Sequence, residues 1–186
     1  MRRKSVVYIA IVLVFVVVSQ ALRYLALEGV IDRCNTDGGG ARAISACTEL
    51  IRRSPINFVA YYNRGNAYQD LCERDRAIAD FTKAIEIDPQ YALAYNNRAW
   101  TFAQIGKPDE GLPDVEKSLL LHPADARALN TRGHIFEALG RTDEAIADFR
   151  RSLSQNPVNQ DSQQAVKRLN AGPQESQTAP LGRENR

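Results

Sequence analysis

The sequence predicts an all-α fold, a solenoid of stacked helical hairpins behind a short apolar segment, and three observations carry that prediction. Dipeptides ending in proline, Asp88-Pro89, His122-Pro123 and Asn156-Pro157, recur every 34 residues. Inside each block, apolar and small residues recur at helical spacing in two stretches separated by a turn. The first residues, by contrast, are basic and then uniformly apolar. A chain of 186 residues that is 44% hydrophobic and 25% charged is long and apolar enough for one folded unit. Its 24 basic and 22 acidic residues leave a net charge of +2, without the phosphate-neutralising excess of a nucleic-acid binder, so nucleic acid is not an expected partner.

The N-terminal element reads MRRKS, then VVYIAIVLVFVVV, then SQALRYLA. A basic flank before the strictly apolar run Val6 to Val18 has the form of an export signal, and Ser19-Gln20-Ala21 offers a small-x-small cleavage site. Extended to Leu22, the run reaches the lower limit for a membrane-spanning helix. Residues 1–22 are therefore expected to be a signal peptide, or a signal-anchor helix touching the membrane through residues 6–22 if uncleaved. Either way the basic flank stays in the cytoplasm and the remainder crosses. A buried core helix is a poorer description, because such a helix is rarely so uniformly apolar behind Arg-Arg-Lys.

The three blocks are FVAYYNRGNAYQDLCERDRAIADFTKAIEIDPQY, ALAYNNRAWTFAQIGKPDEGLPDVEKSLLLHPAD and ARALNTRGHIFEALGRTDEAIADFRRSLSQNPVN, at residues 58–91, 92–125 and 126–159. In the first, Tyr61, Gly65 and Tyr68, and then Ala77, Phe81 and Ala84, form two amphipathic stripes that can face each other. Small residues recur where the helices must approach, Gly65, Ala99 and Gly133 at one position and Ala77, Gly111 and Ala145 at another. Proline near each block's end stops the second helix. These blocks resemble tetratricopeptide repeats, which implies pairs of antiparallel helices stacked into a right-handed superhelix.

Run backwards, the same frame places a degenerate repeat at residues 24–57, with Pro55 at the stop position and Leu27, Val30, Ile31, Ala43 and Leu50 at apolar or small positions. Two of the three cysteines, Cys34 and Cys47, lie here at a spacing that matches neither a CxxC redox site nor common zinc-ligand patterns, so spacing alone leaves a redox pair, half a metal site or a staple open. The resemblance gives them places. Cys34 takes the slot of Tyr68, Phe102 and Phe136, and Cys47 that of Phe81, Val115 and Phe149, slots that face each other across the helix pair in this family. With export to a disulfide-tolerant compartment, it implies a Cys34–Cys47 bridge worth ~3 kcal/mol; the alternative is two reduced cysteines packed as small hydrophobes. No metal site is expected, since the only histidines, His122 and His134, belong to later blocks. Cys72 is left over at a turn where the other blocks carry Gly106 and Gly140, as an exposed thiol or an intermolecular partner.

In the second block Pro113 falls inside the second helix, which predicts a bent or delayed helix there. After Pro157, DSQQAVKRLN predicts a capping helix over 160–170 with Ala165, Val166 and Leu169 as its apolar face. The segment 171–186 lacks the apolar content to pack and is expected to be disordered.

No catalytic constellation is present: no GxSxG, no phosphate-cradling loop, no HExxH. The chain is therefore read as non-enzymatic, with no cofactor. The pairs Asp109-Glu110 and Asp143-Glu144 open second helices, where acids complement the helix dipole. Arg64, Arg98 and Arg132 recur in register with Asp80, Asp114 and Asp148, an arrangement read as structural. In the family the first helices line a concave groove for extended peptides or a partner helix. The resemblance places Tyr62, Asn63, Asn66, Asn96, Asn97, Trp100, Arg127, Asn130, Thr131 and His134 there. Side-chain amides both donate and accept, which suits the main chain of a bound peptide, and tryptophan suits a binding hot spot. Chaperone-binding members clamp a C-terminal carboxylate. Asn66 and Asn97 match that clamp's asparagines, Tyr62 and Arg127 stand at its lysine positions, and Thr131 replaces its arginine. The implied role is a scaffold for a protein or peptide partner outside the cytoplasm, the alternatives being an accessory subunit of an envelope enzyme or secretion complex, or a self-assembling oligomer.

Overall fold

The 34-residue recurrence becomes a recurrence of helices in the computed structural model, which describes residues 15–20, 27–35 and 40–171. Helix α1 covers 27–35. It is followed by α2 (Ala41–Arg53), α3 (Phe58–Asp70), α4 (Arg74–Ile87), α5 (Ala92–Gln104), α6 (Pro108–Leu121), α7 (Ala126–Ala138), α8 (Thr142–Gln155) and α9 (Gln160–Asn170). No strand occurs among the described residues. Successive pairs, α1–α2, α3–α4, α5–α6 and α7–α8, form the units, and α5 touches α3 on one side and α7 on the other.

Size matching sets how closely each pair packs. A Cβ added at Gly65 would lie 2.6 Å from Phe81 Cε1, and one at Gly133 2.7 Å from Phe149 Cε1. Both phenylalanines are fully buried. In the α5–α6 unit the smaller Val115 takes the phenylalanine slot, and Ala99 then fits where the others need glycine. The close contact moves instead to Gly111, whose Cβ would lie 2.7 Å from the Ala99 carbonyl oxygen. Burial between units completes the core: Val115, Leu119, Leu129 and Ile135 cluster across α5–α7, and Phe136 and Phe149 meet Ala165 of α9 with Val166 and Leu169 beside it.

A second device runs the length of the stack. Arg64, Arg98 and Arg132 each grip an aspartate 16 residues on, with Nε 2.7, 2.6 and 2.6 Å from Oδ2 of Asp80, Asp114 and Asp148 and Nη2 on the other oxygen. The remaining Nη1 of Arg64 and Arg98 reaches back to the preceding second helix, donating to Thr48 Oγ1 and Thr82 Oγ1 at 3.0 and 2.9 Å. Each arginine thus ties its own pair together, and the first two also bond to the unit before. The hydrogen bonds they donate to Asp80 and Asp148 raise the Arg64 and Arg132 pKa values further.

The first unit is closed differently. A disulfide joins Cys34 to Cys47, both buried, in a cluster with Ala46, Leu50 and Ala60 and with Leu27 and Val30 alongside. Ile31 departs from the expected pattern, being 37% exposed. It occupies the slot held later by Gly65, Ala99 and Gly133, where a branched side chain cannot enter between the helices.

Pro113 produces no delay. Helix α6 begins at the position equivalent to the starts of α4 and α8 and has their length, 14 residues. Pro113 lies early in it and is exposed, so the Asp109 carbonyl that loses its helical donor can be hydrated. Pro108 opens the same helix with its φ already suited to that place.

The α3–α4 turn contains the one non-glycine positive φ among the described residues, Cys72 at 60°, against 76° and 73° for Gly106 and Gly140 in the later turns. All three turns carry the same paired hydrogen bonds. Cys72 N–H donates to the Gln69 carbonyl and Glu73 N–H to that of Tyr68, a helix end that prefers glycine. The Cys72 thiol is free and exposed. Cys72→Gly should therefore stabilise the chain by about 0.5–1 kcal/mol, relief of left-handed strain outweighing the added freedom of the unfolded chain, as read by urea denaturation.

Most of the expected export segment, 1–14 and 21–22, lies outside the described residues, as do 23–26, Gly38 and Gly39 and all of the expected tail beyond Ala171. Residues 15–20 are helical, with Phe15 and Val17 well exposed. No helix among the described residues is long and apolar enough to cross a membrane.

Candidate functional site

Tandem repetition puts equivalent residues of α1, α3, α5 and α7 side by side, so a polar residue at one register becomes part of a row. Asn63 Nδ2 donates to Asn35 Oδ1 at 2.9 Å, joining α3 to α1. Asn97 Nδ2 donates to Asn66 Oδ1 at 2.7 Å and to the Tyr62 hydroxyl at 3.2 Å, joining α5 to α3. One step deeper, Gln69 Nε2 donates to Thr101 Oγ1 at 2.7 Å, and Thr101 passes its own hydrogen to the Asn97 carbonyl.

The amide row continues into α9. Asn130 Nδ2 donates to Asp161 Oδ2 and Ser162 Oγ, both at 2.8 Å. His134 Nε2 lies 2.6 Å from the same Asp161 oxygen, and since an ionised carboxylate only accepts, Nε2 carries the hydrogen. Partial burial works against the Asp161 carboxylate, but the hydrogen bonds from His134 and Asn130 outweigh it and hold the carboxyl below its usual range. Arg168 grips Glu137 with both terminal nitrogens and fixes the far end of α9.

Aromatic rings sit among these amides. The Trp100 ring lies 5.4 Å from His134, which stands edge-on to Phe149 at 4.9 Å. Tyr62 meets Tyr91 at 5.1 Å, and Tyr91 meets Phe58 at 4.9 Å. Burial there pushes the Tyr91 hydroxyl up to about 12, so it stays protonated.

All ten residues singled out from the sequence thus lie on α3, α5 and α7. They are not equally accessible. Tyr62, Asn63, Asn66, Asn97, Trp100, Asn130 and His134 are half-buried, while Asn96 and Thr131 are buried and belong to the floor. Arg127 is exposed, held only by a 3.4 Å contact with Asp125. Sequence reasoning missed Asn35, Gln69, Asp161, Ser162 and Arg168. The repeat frame held the signal, since Asp161 stands 34 residues after Arg127 and Gln69 34 after Asn35.

Two tetratricopeptide-repeat family models match the chain, over residues 58–91 and 96–160, together more than half of it. Among solved structures, the tetratricopeptide-repeat domain of Arabidopsis OM64 is 30% identical and superposes with a TM-score of 0.60, covering 62% of this chain and 95% of that domain. The second such domain of human RPAP3, solved with the HSP70 peptide SGPTIEEVD, is 29% identical with a TM-score of 0.56, covering 59% and 92%. MamA from Desulfovibrio magneticus RS-1 shares the fold, with a TM-score of 0.70 at 21% identity over 78% and 82% of the two chains. No curated protein matches the sequence significantly.

Proposed function

Because the chain belongs to the tetratricopeptide-repeat family, we propose that it is a scaffold holding an extended segment of a partner protein against the face lined by α3, α5 and α7. The observation that carries this reading is the row of amides at Asn63, Asn66, Asn96, Asn97 and Asn130, flanked by Tyr62 and Trp100 on the same helices. Such a row is rigid, because its members brace one another from helix to helix. It also offers groups able to pair with a peptide main chain. Peptide binding by the RPAP3 domain supports the reading. Its acidic-peptide chemistry does not transfer directly, since Tyr62 and Thr131 replace a lysine and an arginine of the carboxylate clamp.

The repeats are placed outside the cytoplasm in this proposal. Two features support it: the basic-then-apolar N-terminus, and a disulfide whose sulfurs are buried in the first unit's core, as suits an oxidising compartment.

The test is capture from the native host by the tagged full chain, compared with an Asn66→Ala/Asn97→Ala variant of unchanged circular dichroism. Capture of one protein partner weakened about tenfold or more by the variant is the expected result. Equal capture by both proteins would move the site off this face. Intact mass of the native protein reads the location: loss of about 21 residues marks a cleaved signal, and a fully reduced, full-length soluble cytoplasmic chain would refute export.

A further inference from the structure

Resting on the groove reading above, we infer that the segment taken by this face presents hydrogen-bond donors and positive charge, a lysine- or arginine-rich peptide. The inference begins with which polar groups are already spent. The N–H donors of Asn63, Asn97 and Asn130 are committed to Asn35, to Asn66 and Tyr62, and to Asp161 and Ser162. What remains unmatched in the interior is an acceptor. Asn96 Oδ1 is the one buried side-chain polar atom without a hydrogen bond among the described residues.

The equivalent residue one unit further on is engaged differently. Asn130 is the equivalent of Asn96, and its amide is satisfied by Asp161 and Ser162 of α9. At the corresponding places α7 carries Arg127 and Ala128, which cannot repeat the arrangement. The Asn96 amide donates to Asn97 Oδ1 at 3.1 Å, so it lies within the same polar row, and its free oxygen calls for an incoming N–H.

Charge on the adjoining helices points the same way. Glu28, Asp32 and Asn35 form one stripe of α1, and Asn35 bonds to the amide row; Asp70 stands one turn beyond Asn66 on α3. The three carboxylate residues are exposed, and no ion pair among the described residues neutralises them. The basic residues of these helices are placed elsewhere. Arg64 and Arg98 are bound to Asp80 and Asp114, and Arg33 lies in the cleft with Arg42 and Glu49 toward α2. On the far side of the row Arg127 is the open cation, since Arg168 and His134 face Glu137 and Asp161. Carboxylates therefore dominate the charge from α1 to α5, the reverse of what an acidic C-terminal peptide requires.

Panning a randomised peptide library displayed on phage against the full oxidised chain tests this. Recovered peptides are then titrated by Trp100 fluorescence against wild type, Asp32→Lys/Asp70→Lys, Asn96→Ala and Trp100→Ala, the last by anisotropy. The expected result is enrichment of lysine and arginine, with salt-sensitive binding that weakens at least about tenfold in the charge-reversed protein. Asn96→Ala should weaken binding while leaving the melting temperature unchanged or higher, because it removes an unsatisfied acceptor. Peptides with acidic C-termini whose binding still depends on Trp100 would overturn the inference and leave the groove reading standing. Recovery of no peptide that depends on Trp100 or Asp32 and Asp70 would overturn both.

Discussion

Replacing Asp114 with alanine is expected to destabilise the fold by about 3–5 kcal/mol, read as a lowered urea midpoint by circular dichroism. The Arg98 side chain is 18% exposed and that of Asp114 11%, so the pair is largely out of water. Arginine cannot shed its charge, and without the carboxylate its guanidinium would keep only the single Thr82 hydroxyl. The cost is that of a stranded charge, larger than the net worth of the pair. Replacing both partners, Arg98→Met with Asp114→Leu, should therefore cost clearly less than Asp114→Ala alone. An exposed pair provides the contrast. Lys83 and Glu86 are 48% and 57% exposed, and Glu86→Ala should change stability by under about 1 kcal/mol. Equal effects from Asp114→Ala and Glu86→Ala would show that the arginine series contributes nothing special to stacking.

The same series shows why so much of the fold could be read from the sequence. A contact within a repeated unit appears in the sequence three times at fixed spacing, as Arg64–Asp80, Arg98–Asp114 and Arg132–Asp148 do, and the hydrophobic and small positions follow the same rule. Unique features escape it. Pro113 pointed to a bent or delayed helix, and no delay occurs, because proline's average cost says nothing of whether the freed carbonyl meets water. Ile31 looked like a core residue because its register is a core register, although that register admits only glycine or alanine.

Candidate site residues were legible as a set, because the repeat frame assigns helix faces. Their hydrogen bonds were not. Whether Asn97 reaches Asn66 depends on the separation of α5 and α3, which periodicity does not encode. The orphaned Asn96 oxygen was still less accessible to sequence reasoning, since it follows from the way the amide is turned, with its nitrogen on Asn97 Oδ1 and its oxygen buried.

Breaking the Cys34–Cys47 bridge should destabilise the first unit by about 3 kcal/mol while leaving α5 to α8 nearly untouched. Hydrogen exchange should detect this as roughly a hundredfold faster opening of α1 and α2 in the Cys34→Ser/Cys47→Ser variant. The localisation follows from stacking, in which a unit contacts only its neighbours. Its size follows from what the first unit lacks. The α3–α4 and α7–α8 units bury Phe81 and Phe149 between their helices, whereas the corresponding cluster here consists of two cysteines with Ala46, Leu50 and Ala60. Little apolar area holds α1 in place, so the covalent link substitutes for an aromatic contact. The strictest version of the test restores that contact. Cys47→Phe in a Cys34→Tyr background restores the residue types that stand at Phe81 and Tyr68 in the repeat register, yet it should fail alone, because Ile31 holds the slot where a Cβ at Gly65 or Gly133 would lie only 2.6 or 2.7 Å from the facing phenylalanine. Adding Ile31→Gly should recover protection of α1 without a disulfide. Recovery without that glycine, or none with it, would mean that the cysteines do not occupy the aromatic slots of the repeat.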